Sequence, residues 1–380
     1  EGQFRSTYHV SRIPPRSFCS CRRNHFSSVM PQTLTISTFT LENGTTLREV
    51  PVTYQAWGTL NAAGTNAVVV CHALTGDTDV ADWWGALLGA DCALDPTEDF
   101  VVCLNVPGSP YGSISPTTTN PVTGMRYGAD FPAFTVRDTV RLHRCALTQL
   151  GVRRVRCAVG GSMGGMQVLE WAFETTDDGA PFVQALAPIA VGGRHTAWQI
   201  GWSEAQRQAI YADAKWQGGA YAPDDPPREG LAAARMMAMV SYRSQPSFDA
   251  RFGRDVMTDQ DDTPYAAESY LRYQGDKLTG RFDAHCYVAL TKQMDTHDVA
   301  RGRGAYEAVL RSIEQPALVV GIDSDVLYPL SEQRELAVHL PRATLEVLEV
   351  PHGHDAFLIE RAALNRRIAT WRRTALSVPA

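Results

Sequence analysis

No run of this 380-residue chain approaches the roughly 18 apolar residues that a bilayer-spanning helix needs, so a helical membrane protein is not expected. There is no excess of base: 35 Lys and Arg stand against 41 Asp and Glu, a formal charge of −6, which supplies no footprint for nucleic acid. CxxC pairs and the Cys/His spacings of a zinc site are missing. The eight cysteines are scattered, several inside apolar runs such as Val101-Val102-Cys103-Leu104, and cysteine used as a small core residue fits free thiols in a reducing compartment. Internal repeats, low-complexity tracts and a GxGxxG dinucleotide fingerprint are absent too. What is present, 44% hydrophobic and 20% charged residues over a chain long enough to bury a sizeable core, is the composition of a soluble enzyme of small molecules.

The first thirty residues stand apart. After Glu1 there is no acid up to Met30, while Arg5, Arg12, Arg16, Arg22 and Arg23 alternate with Ser, Tyr and Phe. That is the composition of a transit peptide, with a disordered tail ahead of a start at Met30 as the alternative. Residues 1–32 are accordingly set aside as a tail; the compartment expected is the cytoplasm, or the mitochondrion if the leader functions.

From Thr33 the pattern turns to strands. Ile36 to Leu41, a turn at Asn43-Gly44 and Leu47 to Trp57 predict an antiparallel hairpin. Then come short, almost continuous apolar runs, Ala67 to Cys71, Phe100 to Leu104, Val155 to Val159, Phe182 to Ile189 and Ala317 to Ile322, as expected of parallel strands covered on both faces. The clearest helix spans Ala133 to Leu150, with Val136, Val140, Leu147 and Leu150 on one stripe and Gly151 as its stop. Strand, helix and strand in alternation predict an α/β fold, a mostly parallel sheet with helices on both faces. Between Arg194 and Ala300 the strand signal vanishes, and Trp198, Trp202, Tyr211, Trp216, Met236, Met237 and Met239 appear among helix formers. Residues 194–300 therefore read as a helical lid inserted into a core formed by 33–193 and 301–380, most of its aromatics being lid core and a few lining a substrate tunnel.

Chemistry enters at Gly160-Gly161-Ser162-Met163-Gly164-Gly165. Gly-x-Ser-x-Gly is a weak pattern alone, but here it follows the apolar strand Val155 to Val159 and precedes a good helix beginning near Met166. A strand-to-helix turn that sharp strains the backbone at the serine and needs glycine where neighbouring segments pass close; it is the nucleophile elbow of the α/β-hydrolase fold. A serine hydroxyl is a poor nucleophile at neutral pH, so a base and an orienting acid are required, and in this fold they follow in the order Ser, Asp, His. Asp323 or Asp325 ends the strand Ala317 to Ile322, and His352 or His354 follows the strand Thr344 to Val350. The residues alone do not choose within either pair. An oxyanion needs two backbone donors: the amide of Met163, and one from the loop Cys71-His72-Ala73-Leu74-Thr75-Gly76. His72 precedes the nucleophile and is not taken as the base.

With these pieces assembled, the chain resembles the homoserine O-acetyltransferase family, and within it the fungal type, from about Phe39 to the C-terminus. The resemblance rests on His72 to Gly76, Ala81-Asp82-Trp83-Trp84-Gly85, Gly108-Ser109-Pro110-Tyr111-Gly112-Ser113, Gly160 to Gly165, Ser203 to Gln208, Tyr270 to Gly275, Asp295-Thr296-His297-Asp298 and Gly353 to Leu358. Two departures are Pro107, where Leu is usual, and the lack of the long polar insertion found in some fungal members. The family's Ser-Asp-x-Leu-(Phe/Tyr)-Pro falls on Ser324 to Pro329 and its Gly-His-Asp-Ala-Phe-Leu on Gly353 to Leu358. The resemblance thus implies a catalytic triad of Ser162, Asp325 and His354, an oxyanion hole of Leu74 and Met163, and Arg235 and Asp355 as holders of the substrate's carboxylate and ammonium, with Arg243 the rival for the carboxylate.

It implies also a reaction, double displacement from acetyl-CoA to the hydroxyl of L-homoserine through an acetyl-serine enzyme, in methionine biosynthesis. No permanently bound cofactor or metal is expected; the partners are the small-molecule substrates acetyl-CoA and L-homoserine, and a second copy in a homodimer through lid helices. Rival readings are L-serine as acceptor in cysteine biosynthesis, because one methylene discriminates weakly; a succinyl donor; a plain serine esterase without need of CoA; and a binding protein on an inactive hydrolase scaffold, which would ordinarily lack part of the triad.

Overall fold

The computed structural model describes residues 29–257 and 265–376. The leader assigned to the N-terminus therefore lies, for residues 1–28, outside the described residues. The hairpin is β1 (Gln32–Thr40) and β2 (Thr46–Trp57), paired antiparallel, and Gly44 in its turn takes φ +87°, a conformation that suits glycine. β1 thus begins at Gln32, one residue inside the segment set aside as a tail.

Six further strands follow: β3 (Ala67–Cys71), β4 (Phe100–Leu104), β5 (Val155–Gly161), β6 (Leu186–Ile189), β7 (Ala317–Ile322) and β8 (Ala343–Leu348). They form an eight-stranded sheet in the order β1-β2-β4-β3-β5-β6-β7-β8, antiparallel up to β4 and parallel from β4 to β8. Two expected strands are shorter than their apolar runs. Phe182 and Val183 still pair with Val155, but only through isolated bonds, and the regular ladder starts at Leu186. β8 stops at Leu348 because Val350 N–H turns to the Asp323 carboxylate at 3.0 Å instead of the neighbouring strand.

Among the described residues, the helices of eight or more residues are α1 (Val136–Gln149), α2 (Met163–Trp171), α3 (Ala197–Ala212), α4 (Arg228–Ser241), α5 (Gln245–Phe252), α6 (Ala266–Thr279), α7 (Ala284–Asp295), α8 (Leu330–His339) and α9 (Arg361–Ala375). α1 starts at Val136, three residues after the expected start at Ala133, because Thr135 caps it: the Thr135 hydroxyl accepts from Asp138 N–H at 3.0 Å, and Thr135 N–H donates to the Asp138 carboxylate at 3.2 Å.

Every residue of β3 and β7 is buried, yet their side chains still alternate between two cores. Val69, Val102 and Val319 face the core that holds α1, α2 and α8; Val68, Val70, Val101 and Val320 face the one closed by Trp84 and by Leu364 and Ile368 of α9. Each such valine withdrawn from water contributes about 1.5–3 kcal/mol, so the parallel strands hold firm while their C-terminal ends stay open for loops. From Ile189 to Ala317 no named strand occurs among the described residues, and the chain runs through α3 to α7.

Candidate active site

Ser162 ends β5 and serves as the N-terminal cap of α2 with φ 57° and ψ −125°. A side chain at such backbone angles costs of order 1–3 kcal/mol and persists only where its surroundings over-determine it. Ser162 N–H donates to Ile189 O at 2.9 Å, and Ser162 O accepts from Met166 N–H at 3.1 Å, so the next strand and the helix both pin the residue. Gly164 lets α2 lie against the end of β3: a Cβ there would overlap Cys71 O and stand 2.9 Å from its carbonyl carbon. A Cβ on Gly161 would stand 2.7 Å from two carbons of the Phe357 ring. Ser162 itself is 6% exposed.

Met163 opens α2, so its N–H is one of the amides with no acceptor inside the helix. Leu74 is buried in the loop after β3. That loop is held by His72, whose Nδ1 is 2.9 Å from Ala73 O and whose Nε2 accepts from Val106 N–H at 3.0 Å, while Gln167 of α2 donates to His72 O at 3.3 Å. Burial pushes the His72 pKa below its usual value. A neutral imidazole with both nitrogens engaged is a brace for the loop.

The structure brings Asp325 and His354 together. His354 Nδ1 is 2.7 Å from Asp325 Oδ2, and Asp325 Oδ1 accepts from the amides of Leu327 and Tyr328 at 2.8 and 2.9 Å. A proton on Nδ1, facing the carboxylate, leaves Nε2 as the acceptor; Nε2 is buried and has no hydrogen-bond partner among the described residues. The other member of each pair is engaged elsewhere: Asp323 is exposed and accepts from Val350 N–H, and His352 Nε2 lies 3.3 Å from Glu360.

Around His354 stand Tyr328, stacked at 5.2 Å between centroids, Phe357, edge-on at 5.5 Å, and Tyr242, tilted at 5.7 Å. The Tyr328 hydroxyl is 3.2 Å from His195 Nδ1; His195 Nε2 is 3.6 Å from Asp295, which pairs with Arg207 at 2.8 Å. Burial, then the neighbouring His297 and Arg207, push His195 down to about 3, so it is neutral there. Sequence reasoning assigned no role to these residues, although Arg207, Asp295 and Tyr328 lie in runs that carry the family resemblance. What binds them is long-range packing, which spacing does not reveal.

Arg235, on α4, lies over the Tyr242 ring at 5.6 Å and makes no ion pair among the described residues. Arg243 Nε is 3.5 Å from the Asp355 carboxylate, and Asp355 N–H donates to Tyr242 O at 3.0 Å. Burial raises the Asp355 pKa, while Arg243, Arg235 and His354 pull against it. Arg243 is thus ion-paired with Asp355, whereas Arg235 lies over the Tyr242 ring and acts on Asp355 through its charge alone. No group of three or more His, Cys, Asp or Glu side chains is arranged to hold a metal ion among the described residues.

The chain matches the alpha/beta hydrolase fold family over residues 66–360. It is 77% identical to the homoserine O-acetyltransferase of Salinibacter ruber over 343 residues, covering 90% of this chain and 97% of that protein. It is 52% identical to the homoserine O-acetyltransferase of Chlorobium chlorochromatii, covering 92% and 97%. Neither relative is from a fungus. Among solved structures, the homoserine O-acetyltransferase from Bacillus anthracis superposes with a TM-score of 0.82 at 23% identity, covering 92% of this chain and 99% of that one. Esterase E22 superposes with 0.81 at 24%, covering 90% and 99%. At such identities these two likenesses speak for the fold alone.

Proposed function

The chain belongs to the homoserine O-acetyltransferase family of α/β-hydrolase-fold enzymes, and from that premise we propose that it moves an acetyl group from acetyl-CoA to the side-chain hydroxyl of L-homoserine by double displacement. The observation that carries the reading is the conjunction of a buried serine on a strained elbow with a His354–Asp325 pair at 2.7 Å whose second imidazole nitrogen is left as an acceptor.

In the first half-reaction Ser162 Oγ gives its proton to His354 Nε2 and bonds to the thioester carbonyl carbon. The oxyanion of the tetrahedral intermediate is received by the amides of Leu74 and Met163. The carbon–sulfur bond then breaks, and His354 returns the proton to the departing thiolate of CoA. In the second half, His354 takes the proton of the homoserine hydroxyl, the alkoxide attacks the acetyl-serine, and Ser162 leaves with that proton. Asp325 keeps the imidazole in one tautomer throughout. Arg235 and Asp355 hold the amino acid's carboxylate and ammonium, and the helices of 194–300 act as the lid that keeps water from the ester. The same reading carries a role in methionine biosynthesis and a homodimer through lid helices, which light scattering sizes.

Intact-mass analysis after acetyl-CoA alone tests the core of it: an acetyl adduct forms on the wild type and is absent from Ser162→Ala. CoA release measured with homoserine, with serine and without acceptor separates the rivals. Equal turnover of serine assigns the acceptor differently, and equal release without any acceptor makes the protein a hydrolase.

A further inference from the structure

A pocket of about 300 Å³ opens where α4 and α7 begin and α6 ends, and its walls carry Arg126, Arg228 and Arg281 against one acid, Asp283. None of the three arginines is ion-paired among the described residues, in a chain whose net charge is −6. Asp283 forms no ion pair with any of them: its carboxylate accepts from the Tyr221 hydroxyl at 2.9 and 3.0 Å and from Cys286 N–H at 3.2 Å, where it caps α7. Arg228 has only a long 3.4 Å contact to Thr279 O, and Arg126 has no hydrogen-bond partner among the described residues. Three guanidinium groups, none paired with a carboxylate, around a concave site are an arrangement that takes phosphate.

We propose that this pocket receives the phosphate groups of the acyl donor, a thioester carried on a nucleotide; this rests on the reading of acetyl-CoA as donor. Arg281 ties the pocket to the chemistry. Its Nη1 donates to Thr75 O at 2.9 Å and to the Tyr111 hydroxyl, and Thr75 follows Leu74 of the oxyanion loop. A donor anchored here by its phosphates would send its long flexible arm toward Ser162 past that loop.

Arg126 and Arg228 are exposed, so replacing both by Gln removes charge without removing core. The readout is the ratio of kcat/KM for acetyl-CoA to that for p-nitrophenyl acetate, an acetyl donor with no phosphate. In R126Q/R228Q the ratio is expected to fall about tenfold, through KM for acetyl-CoA, with the wild-type KM rising with salt as exposed charge pairs are screened. Adenosine 3′,5′-bisphosphate should bind the wild type by calorimetry and bind the double variant about tenfold more weakly, whereas inorganic phosphate at the same concentration should not compete; equal competition would assign the pocket to free phosphate and overturn the proposal. An unchanged ratio, or equal loss with both donors, would overturn it too. If p-nitrophenyl acetate acetylates the wild type and acetyl-CoA does not, the donor reading has failed by itself, and calorimetry with the bisphosphate then decides the pocket alone, absence of binding being the refuting result.

Discussion

Gly161→Ala adds a single methyl group, yet the structure gives it a definite victim. The new Cβ would stand 2.7 Å from two carbons of the Phe357 ring and 3.1 Å from a third, where ordinary carbon contacts lie at about 3.5–4.0 Å. The ring must therefore retreat by about 1 Å. It has little room: it is 3% exposed, meets Trp84 edge-on at 6.4 Å, and its own carbonyl accepts from Trp84 Nε1 at 3.0 Å. On the other side it abuts His354 at 5.5 Å, three residues earlier in the same turn of chain. Overpacking of this kind costs about 1–3 kcal/mol. A catalytic group displaced by about 1 Å can lose about 10²-fold in rate.

Thermal unfolding and acetyl-enzyme formation should be measured side by side. Gly161→Ala is expected to stay folded with Tm lowered by a few degrees, about 2–4 °C per kcal/mol in domains of 150–250 residues, and to lose about two powers of ten in the rate of acetylation. Adding Phe357→Leu removes the ring that the methyl group strikes and should recover part of the rate, a coupling that a double-mutant cycle reads directly. A Gly161→Ala protein with wild-type acetylation would refute the chain of contact from elbow to imidazole. So would a loss that Phe357→Leu leaves untouched.

Asp325→Asn and His354→Ala should each lose several powers of ten in turnover, with Asp323→Asn and His352→Ala losing far less, since the latter two side chains engage Val350 N–H and Glu360 outside the pair; equal damage within either pair would refute the assignment. Arg235→Ala should raise KM for homoserine strongly while leaving acetylation by acetyl-CoA close to wild type in single-turnover measurements; equal loss in both half-reactions would move the carboxylate contact to Arg243. Glu332, which accepts from Gln199 at 2.8 Å through one oxygen and has the other buried without a partner, is pushed up to about 7 by burial. Its folded pKa exceeds the unfolded one, so the folded state holds the extra proton and stability should fall as pH rises from about 4.5 through 7. Urea titrations across that window should show the decline in the wild type and a flatter profile in Glu332→Gln; matching profiles would refute it.

The elbow was legible because all its requirements are local: an apolar strand, glycines where segments touch, a serine, then a helix, within about a dozen consecutive residues. The hairpin was legible for the same reason, since Asn43-Gly44 sits between two alternating runs. Strand ends were less so. An apolar run marks burial, and Phe182 and Val183 are buried without belonging to the regular ladder, while Val350 leaves β8 for a side chain 27 residues away. The surroundings of His354 were the least legible part, because they are built from pairs such as Tyr242 with Asp355 and Trp84 with Phe357, more than a hundred residues apart, and nothing in either stretch announces the other.

Three different devices hold the three groups of the candidate triad, and they explain why each is sensitive in its own way. Ser162 is held by backbone: strained angles, locked from Ile189 on one side and Met166 on the other. His354 is held by enclosure in three aromatic rings, which leave its Nε2 without a competing polar partner among the described residues. Asp325 is held by saturation, because two amides fix Oδ1 before Oδ2 meets the imidazole. An asparagine there keeps size and shape, but the two N–H donors would claim its oxygen and turn its NH₂ toward His354 Nδ1. That nitrogen would then have to accept, the proton would move to Nε2, and the imidazole would present a donor to a serine that needs an acceptor. The geometry around the carboxylate thus makes its charge and the tautomer of His354 one property.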